Sequence, residues 1–201
     1  MLKRPFFKFS DSDHEVWSIL YGRQNEHAQQ HAVASYLHGA EKMGLSADSI
    51  PDFATLDAKY QEWVGWELVS TDVQYSDGQS WFEYLLDKKF LITEYIREKE
   101  SLDYTPLPDI WHDAFGHLPY MTEPRYAELV RRYAALMLGC PPEARKGLGS
   151  IWWYTIEFGL MKENGQLKAF GTGLISSYGE LEAAFTDQIK KLPFDPVTIA
   201  P

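Results

Sequence analysis

The chain is short of cysteine, of basic residues and of long apolar runs, and each shortage removes a class of protein. Its single cysteine, Cys140, among 201 residues cannot close an internal disulfide, so a reducing compartment is expected, namely the cytoplasm. Nineteen Lys and Arg against 29 Asp and Glu leave a formal charge of −10, which opposes attraction to nucleic acid or to an anionic membrane. No run of residues approaches the roughly 20 apolar positions of a membrane span. The start, Met1 to Phe7, turns polar too early for a secretory signal. Internal repeats and low-complexity tracts are absent too. A soluble cytoplasmic protein is expected, partnered by neither nucleic acid nor membrane.

What the chain does have is apolar and aromatic material for a core. Hydrophobic residues make up 45% and aromatics 15%, with seven Trp, twelve Tyr and eleven Phe, far above a disordered chain. The length suits one domain, read here as residues 13–201 behind a loose N-terminal arm of residues 1–12. Apolar residues at three-four spacing predict a helix from Asp13 to Met43, ended by Gly44. A second helix follows Ser49 to Asp52 and carries Phe53, Leu56, Tyr60 and Trp63. Gly65 to Val69 reads as extended, Ser70 to Gln79 as a polar loop, Trp81 to Leu86 as helix and Phe90 to Ile96 as a strand. Further on come a helix over Arg125 to Leu138, a break at Gly139 to Pro142 and another helix from Ile151 to Lys162. A turn at Glu163 to Gly165, a strand at Leu167 to Phe170, a glycine-marked loop to Ser177 and a last helix from Leu181 to Ile189 complete the reading. The fold class is mainly α with a few short β-strands (α+β).

The densest stretch runs from Pro106 to Met121 and holds His112 and His117. A short helix is predicted to open at Pro108 and fail at Gly116, with Pro119 blocking its continuation. Five residues on an α-helix separate two side chains by about 140°, so the two histidines converge only where the helix departs from regularity. Imidazole is the commonest metal ligand, and Glu157, set among Ile151 to Leu160, is the third candidate. It is either a glutamate on one exposed helix edge or a buried carboxylate held by a cation. Two His and one carboxylate suit iron(II) with open positions, or catalytic zinc; the zinc-hydrolase spacing of i, i+4 is not met. His27 and His31 could meet on one helix face, although polar neighbours favour a solvated face there.

These residues carry a resemblance. Pro108-Asp109 to Pro119 matches the pattern Pro-Asp-x-x-His-(Glu/Asp)-x-x-Gly-His-x-Pro. Trp152 to Leu160 matches Tyr-Trp-(Phe/Tyr)-Thr-Val-Glu-Phe-Gly-Leu, and Lys168 to Leu181 matches Lys-Ala-(Tyr/Phe)-Gly-x-Gly-Leu-x-Ser-Ser-(Phe/Tyr)-Gly-Glu-Leu. The chain resembles the catalytic domain of the pterin-dependent aromatic amino acid hydroxylases, most closely the bacterial branch, from about Glu15 to about Leu192. The resemblance implies iron(II) held by His112, His117 and Glu157, a tetrahydrobiopterin or related tetrahydropterin cofactor, and molecular oxygen as co-substrate. It implies Arg97 on the substrate carboxylate, Tyr104, Thr105, Asp109 and Ser176 around the substrate, and Trp153 as the wall of the ring pocket. Trp81 and Asp113 fall on the cofactor side. Arg97 could otherwise be a surface ion pair, and Trp81 and Trp153 plain core. The implied activity is ring hydroxylation of an aromatic amino acid, L-phenylalanine to L-tyrosine first, with tryptophan or another aromatic acid second. A metal- and ligand-binding domain without turnover is the alternative. Relatives continue past the position of Pro201 through a β-hairpin, so a C-terminally shortened domain is expected, and a monomer.

Overall fold

A computed structural model describes residues 5–73, 78–103 and 107–199. Helix α1 (Asp11–His31) begins two residues earlier than the periodicity suggests. Ser10 caps it, and Asp13 is not the cap but its reciprocal partner: the Asp13 N–H donates to Ser10 Oγ at 3.3 Å while Asp13 Oδ2 accepts from Ser10 N–H at 2.8 Å. Of the arm, residues 1–4 lie outside the described residues. Phe6 and Phe9 lie 6.2 and 6.4 Å, centroid to centroid, from Phe53.

The long helix expected to reach Met43 is two helices. The chain turns at Ala32 and Val33, where the Val33 N–H donates to Ala169 O at 3.1 Å, and restarts as α2 (Ala34–Met43). Apolar periodicity continues through the break, because the partner that makes it is distant in sequence. Gly44 ends α2 at φ 73°. Helix α3 (Phe53–Val64) is capped by Asp52, which accepts from the N–H groups of Ala54 and Thr55. Strands β1 (Glu67–Thr71) and β2 (Lys89–Thr93) pair in parallel, Leu68 opposite Phe90, and α4 (Gly78–Leu86) is the crossover that a parallel pair requires. Of the expected polar loop, residues 74–77 lie outside the described residues.

The histidine segment does not fail at Gly116. Ile110 and Trp111 are helical, His112–His117 form a π-helical turn, and the chain runs on through α5 (Leu118–Met121) with Pro119 inside it. Helix α6 (Pro124–Gly139) agrees with expectation; α7 (Pro142–Trp152) was not expected, because Pro142 begins a helix instead of only breaking one. A second π-helical turn, Trp153–Glu157, ends the helix well before Lys162. Strands β3 (Leu160–Glu163) and β4 (Gln166–Ala169) form an antiparallel hairpin over Asn164 and Gly165, both at positive φ.

The glycine-marked loop is instead helix α8 (Thr172–Ser176). The glycine before it serves close approach, since a Cβ on Gly171 would sit 2.2 Å from Glu157 O. Helix α9 (Tyr178–Ala184) stops at Phe185, short of the expected Ile189, and α10 (Pro196–Ile199) follows. One continuous core joins these elements. At its centre Trp111 stacks on Phe115 at 4.1 Å and meets the edge of Trp17 at 5.0 Å. His31 stacks on Phe185 at 4.1 Å and His27 meets Tyr178 at 5.0 Å, so that pair rests on aromatic rings and is not a simple solvated face. Among the described residues no helix is long and apolar enough to cross a membrane.

Candidate metal centre

Two π-helical turns build the site. In the first, the Leu118 N–H donates to Asp113 O, five residues back. That wider turn stacks residues five apart, where an α-helix would splay them. His112 and His117 thereby face one another with their Nε2 atoms 3.0 Å apart. Pro119 favours the change. It has no N–H to give the carbonyl of Phe115, four residues back, and the Tyr36 hydroxyl donates to that oxygen at 2.8 Å instead. In the second turn the Phe158 N–H donates to Trp153 O at 2.9 Å. There the same five-residue stacking lets the Trp152 indole N–H donate to Glu157 Oε1 at 2.9 Å.

The two turns meet head on. Glu157 lies 3.6 Å from His112 Nε2 and 3.4 Å from His117 Nε2. One ligand atom from each of the three falls within 4.8 Å of the others, the one such trio of His, Cys, Asp or Glu among the described residues. Helix α8 closes the back. Thr172 Oγ1 contacts Glu157 Oε2 at 3.0 Å and His117 Nε2 at 3.3 Å, and Ser176 Oγ lies 2.9 Å from His112 Nδ1. Because Ser176 donates to Gly173 O, its oxygen accepts from the His112 Nδ1–H, which leaves a lone pair on Nε2.

Charge is arranged to match. Burial, helped by His117, lowers the His112 pKa to about 4, so the ring is neutral. Burial opposes the charge on Glu157, but the two histidines and the Trp152 hydrogen bond outweigh it and hold the carboxyl well below its ordinary range. Burial likewise disfavours a charged His117, yet Glu157 and Asp113 raise its pKa above the usual value. The result is a neutral imidazole, a second imidazole whose proton a cation would displace, and an anionic oxygen converging on one point, a donor set for a divalent cation.

A cleft of about 970 Å³ opens over this point. Arg97 and Asp113 line it. Arg97 is no surface ion pair: its Nε and Nη2 donate to the two oxygens of fully buried Asp109, both at 2.9 Å. Asp109 also accepts from the backbone N–H of Arg97 and His112, so one carboxylate ties the arginine to the first metal-facing turn. Asp113 Oδ2 accepts from Thr93 N–H and Oγ1, both at 2.9 Å, and burial raises its pKa to about 6. Trp153 is not core. It is 53% exposed, lines the cleft and leans on Phe158 at 4.6 Å. Trp81 lines it too, edge-on to Trp152 at 5.3 Å and 6.5 Å from His117. Tyr104 and Thr105 lie outside the described residues.

Three contributors escaped the sequence reading: Thr172, Thr93 and Trp152. Trp152 stands five before Glu157, the same spacing as the histidine pair, and that repeat was the available signal. Thr93 carried none, being held to the site through a strand.

Comparison with known proteins agrees with this geometry. The sequence profile of the biopterin-dependent aromatic amino acid hydroxylases matches residues 3–201. The chain is 36% identical over 200 residues to the phenylalanine-4-hydroxylase of Mesorhizobium japonicum, covering 96% of this chain and 70% of that one. With the phenylalanine-4-hydroxylase of Chromobacterium violaceum it shares 34% over 184 residues, 89% of this chain but 60% of the relative. The structure of the Legionella pneumophila phenylalanine hydroxylase superposes with a TM-score of 0.90 at 33% identity, over 96% of this chain and 76% of the other. The Chromobacterium enzyme with bound iron(III) and oxidised cofactor 7,8-dihydrobiopterin superposes with a TM-score of 0.86 at 31% identity, over 96% and 71%.

Proposed function

The chain belongs to the biopterin-dependent aromatic amino acid hydroxylase family, and on that premise we propose that it hydroxylates the ring of an aromatic amino acid, L-phenylalanine first, using iron(II), a reduced pterin and oxygen. The observation that carries this is the meeting of His112, His117 and anionic Glu157, with His112 and Glu157 lining a cleft. Three donors leave coordination positions free for reactants, and the set fits iron. Bound there together, iron and reduced pterin would supply the activation and the electrons, and molecular oxygen the atom transferred to the ring.

The protein's own part is to hold and to orient. Ser176 keeps His112 in the tautomer that offers Nε2, and Thr172 and Trp152 fix the Glu157 carboxylate from two sides. Arg97, with its fork held flat by Asp109, is the group for the substrate α-carboxylate. Trp153 and Phe158 offer a wall for the substrate ring, and the flat indole of Trp81 suits a stacked pterin. The three metal-facing residues assemble within a single chain, so the trio needs no second copy.

The test is turnover. Protein loaded with iron(II), given a tetrahydropterin and oxygen, meets phenylalanine, tyrosine and tryptophan in separate reactions. Tyrosine from phenylalanine is expected, dependent on pterin and oxygen and lost in His112→Ala. Iron and amino acid that bind without any hydroxylated product would overturn the reading in favour of a binding domain.

A further inference from the structure

The metal-facing carboxylate is joined toward the protein surface by two oxidisable side chains: Trp152, which orients it, and Tyr133, which orienting the site does not require. The Trp152 indole, almost fully buried, donates to Glu157 at 2.9 Å. The far side of the same indole meets the Tyr133 ring at 5.2 Å and 61°. Tyr133 is half-buried on α6, and its hydroxyl donates to Leu148 O at 2.5 Å. Two turns on, at the end of the same helix, stands the one free thiol, Cys140, also half-buried.

We infer that Trp152 and Tyr133 form a relay that drains oxidising equivalents from the metal centre when no substrate ring takes them. This rests on the centre being a redox metal that activates oxygen, as proposed above. The indole gives one electron to the oxidant at the centre. Tyr133 returns an electron to the indole and releases its phenolic proton to solvent, leaving a neutral tyrosyl radical. One electron and one proton from a thiol, Cys140 or a small thiol in solution, restore the phenol, and two thiyl radicals pair as a disulfide. Two such passages account for a two-electron oxidant.

Other routes from the site end inside the protein. Tyr126 and Tyr120 stack at 4.9 Å behind Glu157, but both hydroxyls are buried with no hydrogen-bond partner among the described residues. Their protons have no exit, and burial pushes both pKa values far up. Phe82, 5.7 Å from Trp152, is too hard to oxidise. Trp81 leads back into the cleft it lines. Among the described tyrosines Tyr133 alone joins contact with Trp152 to partial exposure, and burial, outweighing the lowering by a backbone hydrogen bond at Trp152, keeps it protonated at rest.

The test uses the iron(II)-loaded chain and hydrogen peroxide, with neither pterin nor amino acid present, frozen after mixing and read by electron paramagnetic resonance. Iron content is measured on every sample. The wild type is expected to show a tyrosyl radical, and Tyr133→Phe to lose it at unchanged iron content. Cys140→Ser should keep the radical and lengthen its life. An undiminished tyrosyl signal in Tyr133→Phe overturns the relay alone. A radical that behaves as expected in a protein without hydroxylated product overturns only the hydroxylase reading. Failure to take up iron overturns both.

Discussion

At the scale of single residues, the pair Arg97–Asp109 shows how a buried charge is kept. Asp109 has no exposed surface and Arg97 is 8% exposed, and two parallel hydrogen bonds join them. Removing one partner leaves the other charged and unmatched, which costs about 3–5 kcal/mol in comparable buried pairs. Asp109→Ala should therefore lose about that much in a urea melt, and Arg97→Lys should weaken substrate binding more than folding. His112 sets the pH response. Its pKa falls from the ordinary 6.5 to about 4 on folding, so between those values the unfolded chain binds the extra proton and stability rises with pH. This contribution is whole above about pH 6.5 and is lost as pH falls toward 4. Metal uptake follows His117 instead, because Glu157 and Asp113 favour a proton there that a cation must displace: cobalt(II) or iron(II) loading should fall away as pH drops through the ordinary imidazole range. Loading that held undiminished down to about pH 5 would contradict that ordering of charge.

At the scale of elements, two π-helical turns carry the design and one short helix locks it. Gly116 illustrates the lock, since a Cβ there would come 2.8 Å from Thr172 O and 3.3 Å from Ser176 Cβ. Gly116→Ala should push α8 off the π-turn, at a cost of about 1–3 kcal/mol for overpacking, and weaken metal binding because Thr172 and Ser176 move with it. Gly22→Ala is the contrast. It lies in α1 with nothing within 4 Å of its Cβ position, so helix propensity alone predicts a gain of up to about 1 kcal/mol. Equal effects from both, read by thermal melting and metal titration, would mean that the close contact with α8 does not matter.

At the scale of the whole molecule, folding and metal binding are one equilibrium. The three metal-facing residues lie on two turns far apart in sequence, brought together with α8 between them, so the assembled site exists only in the folded chain. A ligand bound by that state alone stabilises it by about 2.7 kcal/mol at a hundred times its dissociation constant. Cobalt(II) should raise the melting temperature and a chelator should reverse the rise. His117→Ala should melt at a temperature that cobalt no longer moves.

The sequence by itself determined most elements, the ligand trio and the family, because these depend on local periodicity, caps and three motifs in order. Gly44 ends and Asp52 begins a helix as their chemistry requires. Tertiary structure alone decided the rest. The break at Ala32 exists because Val33 bonds to Ala169, and α8 is a helix although glycine-rich because Gly171 lies against Glu157 O. His112 and His117 converge because Pro119 and Tyr36 remove an α-helical bond from Phe115 O and a π-turn takes its place. Val33 and Ala169, Tyr36 and Phe115, and Gly171 and Glu157 all meet across gaps longer than any helical or strand period. A local pattern does not contain a contact that only folding creates.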